Sequence, residues 1–339
     1  MQSGENFSIW LVGDTGAVQT DGQDPVMKLL HNSITGHQNG IIVFLGDLIY
    51  PEGLPEIGHL GREQAEKIMQ SQLAAVEAFP GKLYFLSGNH DWKKGSAGGW
   101  KYARRLAHFI HESLGRKDVC MPILAGPGPE LIEPYPGLFL IFLNTQWWMQ
   151  PGEIKDERGK VFFRDFRKML CTLPPDKTLI MGHHPLRSHS LHGGKFKKRH
   201  HLFPLKLYGY RQGPPIPILG SLLVWYRKFI GAREDMASPK YAWFKAQMLD
   251  MLEDFPGITY VSGHEHNLQW IQDEGINHII SGAGSKAYYV TSGKGTRFAS
   301  KSKGFIELIW QDDGVAGFRA HECNKDGTSK VTEMHWKQE

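Results

Sequence analysis

No apolar run in the chain approaches the roughly 20 residues a helix needs to cross a bilayer. The longest, Ile216 to Tyr226, is far too short. No leader is read at the amino terminus, because Phe7–Val12 already carries the pattern of a core strand. The compartment stays undetermined, a periplasmic or extracellular address remaining open if the chain has been shortened at its start. Cysteine is scarce: Cys120, Cys171 and Cys323 are too few and too scattered for a disulfide framework or a zinc knuckle. Repeats and low-complexity tracts are missing, and 12% aromatic content with scattered Gly and Pro excludes disorder, collagen and coiled coil. What is left is a globular chain of 339 residues, long enough to bury a large core.

Acidic residues are missing from one stretch. Lys177 to Arg233 holds eleven Lys/Arg and no Asp or Glu, so a formal charge of +4 conceals +11 here and −7 elsewhere. The densest run is Lys195-Phe196-Lys197-Lys198-Arg199.

Short β-branched runs recur with helical patterns between them, which predicts an α/β (α+β) sheet core. Strands are expected at Phe7–Val12, Ile41–Leu45, Leu83–Leu86, Phe139–Leu143, Thr178–Met181, Ile258–Val261, His278–Ile280 and Phe305–Trp310. Helices are expected over 62–78, 100–114, 161–170 and 239–253, the last behind a cap at Ser238-Pro239. One domain spanning 1–339 is read, with an insertion at about 187–237 that forms a rim or lid.

Five of these strands run into polar clusters: Gly13-Asp14, Gly46-Asp47, Gly88-Asn89-His90-Asp91, Gly182-His183-His184 and Gly263-His264-Glu265-His266. Glycine past a strand lets the chain turn sharply, and side chains at strand carboxyl ends converge on one sheet edge. Asp14, Asp47 and Asn89 offer oxygens, His183, His264 and His266 offer imidazole nitrogens, and Tyr50 offers a phenolate. A lone Gly-Asp is usually only a turn. Five such clusters in order are the pattern of a metal centre.

The series Gly13-Asp14-Thr15-Gly16, Gly46-Asp47-Leu48-Ile49-Tyr50, Gly88-Asn89-His90-Asp91, Ile180-Met181-Gly182-His183 and Gly263-His264-Glu265-His266 resembles the calcineurin-like metallophosphoesterases, from about residue 7 to about residue 290. Within them it is similar to the purple acid phosphatases, which lack a histidine two places after the first aspartate, here Gly16, and carry a tyrosine three places after the second, here Tyr50. The resemblance implies a four-layer αββα sandwich of two mixed β-sheets flanked by helices. It also implies a centre of two metal ions, one held by Asp14, Tyr50, His266 and Asp47, the other by Asp47, Asn89, His183 and His264. Phenolate and carboxylate suit Fe(III) at the first; two imidazoles and an amide suit a divalent Fe, Zn or Mn at the second.

Two such ions activate a bound water and clamp phosphate. The implied function is therefore cleavage of phosphate monoesters by in-line attack of a metal-bound hydroxide. A phosphodiesterase or nucleotide phosphohydrolase would share every ligand. A reading of another class is a non-catalytic module that binds phosphate or a membrane surface. His90 is the expected proton donor, with Asp91 orienting its ring, and His192 is the second candidate. His189, His184 and Lys195 are weaker candidates for substrate contact, and His200 and His201 are expected to be solvated. The expected partner is a phosphorylated small molecule or peptide. Nucleic acid is disfavoured, since no recognised binding motif is present. Residues 213–231, apolar and edged by Arg227-Lys228, could close over the site, bind a partner or touch a membrane peripherally.

Overall fold

The computed structural model describes residues 7–150, 157–205, 213–324 and 328–336. One sheet has six strands in the order β13 (Ser329–His335), β12 (Gly314–Cys323), β11 (Lys303–Gln311), β1 (Phe7–Val12), β2 (Gly40–Phe44) and β3 (Lys82–Phe85). The other has seven, in the order β10 (Thr296–Ser300), β8 (Leu268–Asp273), β9 (Ile276–Ser281), β7 (Thr259–Ser262), β6 (Thr178–Met181), β5 (Leu138–Phe142) and β4 (Glu130–Tyr135). Strands β1, β2 and β3 are mutually parallel, as are β5, β6, β7 and β9. The remaining pairs are antiparallel, so both sheets are mixed.

Strand β1 shows why its sequence reads as an unbroken apolar run. Ile9 and Leu11 face the core between the sheets, with Val43, Leu140, Met181 and Ile279. Trp10 and Val12 face outward onto the helices α1 (Pro25–Ile34) and α2 (Arg62–Val76). A strand covered on both sides has no polar face to show. Helix α3 (Gly99–Leu114) completes that outer layer, while α4 (Thr145–Trp148), α5 (Glu157–Leu170) and α8 (Pro239–Leu252) cover the second sheet through Trp148, Phe166 and Phe244. The result is the four-layer αββα sandwich.

The expected strands appear within a residue or two at each end. Strands β4, β8, β10, β12 and β13 are additions. Strand β13 lies at a sheet edge, mostly exposed, with the polar sequence such edges carry, and β12 shifts register against β11 between Val315 and Gly317. Helix α1 is also new, although its signal was present: Asp24 accepts from the Val26 and Met27 amides, and Pro25 opens the first turn. Helix α8 begins after Ser238 as expected, but that hydroxyl donates to Arg233 O and does not cap.

The stretch 187–237 carries two further helices, α6 (Lys198–Leu202) and α7 (Pro217–Phe229), packed on one another. Of its cations, Lys206 and Arg211 lie outside the described residues. His200, expected in solvent, is instead buried with Nδ1 accepting from the Lys197 amide, and burial pushes its ring down to about 4. All three cysteines are free thiols.

Candidate metal centre

The parallel strands of both sheets end on the same edge, and the turns that follow are tied across the sandwich. Gly13 N–H donates to Ser281 O at 2.8 Å, Asp14 N–H to Gly46 O at 2.9 Å and Gly263 N–H to His183 O at 3.1 Å. Asp14, Asp47 and His264 all sit in the left-handed region, with φ of 59°, 54° and 66°. Non-glycine residues hold that conformation only where their surroundings over-determine it, and such strain gathers at functional sites.

Two neighbouring groups of ligand atoms result. In the first, Tyr50 O–H donates to Asp14 Oδ1 at 3.0 Å, and His266 Nε2 lies 3.3 Å from Tyr50 Oη and 3.6 Å from Asp14 Oδ1. In the second, Asn89 Oδ1 lies 3.0 Å from His183 Nε2 and 3.1 Å from His264 Nδ1, with Asp47 Oδ1 3.4 Å from His183 Nε2. Asp14, Asp47 and His183 link the groups, since each offers a ligand atom within 4.8 Å of the others.

The tautomers decide what the second group can hold. His183 Nδ1–H donates to Leu45 O at 2.8 Å, and His264 Nε2–H donates to Glu234 O at 3.0 Å. Each ring has spent its proton outward, so its inward nitrogen is a bare lone pair. Asn89 is likewise oriented, its amide N–H donating to Glu234 Oε1 at 3.2 Å. Asn89 Oδ1, His183 Nε2 and His264 Nδ1 thus converge with no hydrogen among them, beside Asp47 Oδ1, which accepts only from the His90 amide at 2.8 Å. Acceptors crowded in that way are reconciled by a cation, and the residues present fit a bound metal.

The charges agree. Burial, and then the charge of Asp47, push the Asp14 carboxyl well above the ordinary range. Burial also pushes Asp47 upward, but the neighbouring His183 and His90 rings and the hydrogen bond from the His90 amide outweigh it and hold that carboxyl below its usual value. Burial, Asp14 and Asp47 raise the Tyr50 phenol far up, so it becomes a phenolate only if a cation replaces the proton it gives Asp14.

Glycine spacing follows from close approach. A Cβ on Gly88 would lie 2.2 Å from Asp47 Oδ1. One on Gly16 would lie 2.7 Å from Tyr50 N and 2.8 Å from Asp47 O. Position 16 therefore has no room for a side chain, because Tyr50 N–H and Gly16 N–H close that turn onto Gly16 O and Asp47 O.

The family assignment can now be made. The calcineurin-like phosphoesterase model matches residues 7–200, more than half of the chain. The chain belongs to the calcineurin-like phosphoesterase family. That match ends before His264 and His266, which the fold brings back to the same edge. No curated protein matches the chain. Among solved structures it is similar to GAP50, described as the anchor in the inner membrane complex of Plasmodium, at 17% identity and TM-score 0.56, over 98% of this chain and 90% of that one. It is also similar to PhoD, at 8% identity and TM-score 0.54, over 98% of this chain and 69% of that one. These likenesses concern the fold. Family membership supports a metal-dependent phosphoesterase.

Around the ligand atoms of this calcineurin-like phosphoesterase, the other expected residues divide. His90 reaches the site: Nδ1 bonds Pro51 O at 2.6 Å, and Nε2 lies 3.9 Å from Asp47 Oδ2. Asp91 does not orient that ring. Its carboxylate accepts from the Gly88, Leu48 and Ile49 amides and pins the two metal-site turns together, while burial and Asp47 push it up to about 8. His192 packs 4.7 Å from the His264 ring and donates from Nδ1 to Asp235 Oδ1 at 2.9 Å.

His184 is not open to substrate. It is buried, paired through Nδ1 with Thr145 Oγ1 at 2.8 Å, and supports His264 from behind with its ring 4.6 Å away. His189 turns to Lys294 O, and exposed Lys195 contributes its amide to Ser190 O.

Four residues were missed. Glu234 and Asp235 follow the basic stretch immediately, where the abrupt return of acid was a usable signal. Lys286 holds its ammonium 3.5 Å from the Tyr50 ring centre, and Tyr288 stacks on His266 at 4.7 Å. Nothing local to their sequence marks these two.

Proposed function

We propose that this chain is a purple acid phosphatase-like hydrolase of phosphate monoesters working with two metal ions. The observation that carries the reading is the pair of adjoining ligand groups: the bare acceptor atoms of Asn89, His183 and His264 beside Asp47, and next to them a tyrosine hydroxyl joined to Asp14 and His266. Tyr50, Asp14 and His266 suit Fe(III), and Asn89, His183 and His264 suit divalent Fe, Zn or Mn, with Asp47 shared. When bound, such ions supply an activated water and a clamp for the phosphate oxygens.

The chain's own residues handle the protons. His90, anchored by its Nδ1–H to Pro51 O, presents Nε2 to the site, from which the ring, once protonated there, would donate to the departing alcohol. Burial pushes His192 down, but the hydrogen bond it donates to Asp235 and the charges of Glu265 and Asp235 outweigh it and hold the ring above its ordinary value. An imidazolium there favours a dianionic monoester over a singly charged diester. Lys286 adds a second cation beside Tyr50.

Metal analysis with turnover of p-nitrophenyl phosphate and its bis ester tests the reading. Asp47→Ala should lose both metals and all activity, whereas His90→Ala should keep the metals and lose about 10²–10⁴ in kcat. Iron-loaded protein should absorb in the visible, and Tyr50→Phe should abolish that band. A full metal complement and undiminished turnover in Asp47→Ala would refute the assignment.

A further inference from the structure

Helix α7 turns an apolar face to solvent. Ile218 is 77% exposed, Trp225 57% and Phe229 58%, and Leu219, Leu222 and Ile230 share the outer side. The opposite side is tied to the domain. Gly220 sits so close to α6 that a Cβ would fall 2.1 Å from His201 O, and buried Arg227 grips Asp235 through Nε at 2.9 Å and Nη2 at 2.5 Å. The helix therefore cannot roll its apolar stripe inward without tearing a buried ion pair.

We propose that this face docks on a bilayer surface carrying anionic headgroups. The surrounding charge selects that occupant. Lys195, Lys197, Lys198, Arg199 and Lys228 are exposed around the helix pair, and no acid occurs between Lys177 and Arg233. A second copy of the same face would set cations against cations. A lipid surface instead takes Trp225, Leu222 and Phe229 into the headgroup boundary and leaves the cations among phosphates. Thirteen helical residues, about 20 Å, suit a helix lying in that plane. Arg227 and Asp235 connect this helix directly to His192, so docking would hold the metal centre roughly one helix diameter, about 10–12 Å, behind the lipid surface.

The test is flotation of the full chain with vesicles of phosphatidylcholine containing about 30% phosphatidylserine, compared with phosphatidylcholine alone. Binding should require the anionic lipid and weaken with salt. Leu222→Gln/Trp225→Gln/Phe229→Gln should reduce it at least about a hundredfold, and each of Lys197→Gln, Lys198→Gln and Arg199→Gln about fivefold. Circular dichroism of each variant should match that of the parent. Should the triple variant misfold, brominated acyl chains should quench tryptophan emission of the parent protein and do so far less in Trp225→Phe. No flotation on anionic vesicles, flotation undiminished in the folded triple variant, or equal quenching in Trp225→Phe would overturn the proposal. So would a self-association in gel filtration that the triple variant removes without any lipid binding, which would assign the face to a second copy. Lipid binding is read without turnover, so its outcome is independent of the phosphatase reading.

Discussion

Replacing Asp235 with asparagine separates charge from packing at the wall of the centre. The carboxylate is fully buried and accepts from Arg227 Nε and Nη2, His192 Nδ1 and the Ala232 amide. Burial pushes it up, but the hydrogen bonds from Arg227 and His192 prevail and hold it at about 2 against an ordinary 3.8. That depression corresponds to about 2 kcal/mol of folding stability. A depressed acid gives this contribution in full above the unfolded value and loses it as pH falls through the folded one. Asp235→Asn should therefore unfold about 2–4 kcal/mol more easily in urea at pH 7, since Arg227 stays buried without its counter-charge. The difference from the parent should narrow below about pH 4, as the parent protonates too. His192 behaves oppositely: its raised value favours the folded state below the unfolded value and is lost as pH climbs through the folded one. Without Asp235 the alkaline limb of the kcat profile should move to lower pH. A stability difference that stays constant from pH 7 to the acid limit, with an unmoved profile, would refute the charge argument.

Gly16→Ala forces a Cβ into the turn shared by Tyr50 and Asp47 and should cost about 1–3 kcal/mol together with the visible band of the iron-loaded protein; a melt and a spectrum unchanged from the parent would show that the turn can yield. Glu307→Gln tests the first sheet away from the metals. Burial raises this carboxyl, but hydrogen bonds from His321 and Ser8, at 2.7 Å each, hold it low, so the variant should lose about 1–3 kcal/mol at pH 7, with the gap closing as pH falls below about 4.5. Urea titrations at the two pH values check the sign.

The strands whose apolar runs are covered on both faces were legible in the chain, because burial on two sides leaves one compositional solution. So were the side chains that gather at the candidate metal centre, since glycine followed by Asp, Asn or His after a strand is a local event. Edge strand β13 and its neighbour β12 were not: their pairing comes from a neighbour's hydrogen bonds more than from their own residues. His184 and Asp91 show the other limit. Each lies within two residues of a candidate ligand in sequence, yet one is sealed behind His264 and the other staples backbone amides.

By itself, the amino-acid order determined which atoms could ligate and that they follow successive strands. Only the tertiary structure decided that His183 and His264 point bare nitrogens inward, since that depends on Leu45 and Glu234 carbonyls far away in the chain. It also decided the fate of the basic stretch. Charge and apolarity are local properties, but which side of α7 meets the domain is set by Asp235 and by the close approach at Gly220, and that choice leaves the apolar side facing outward.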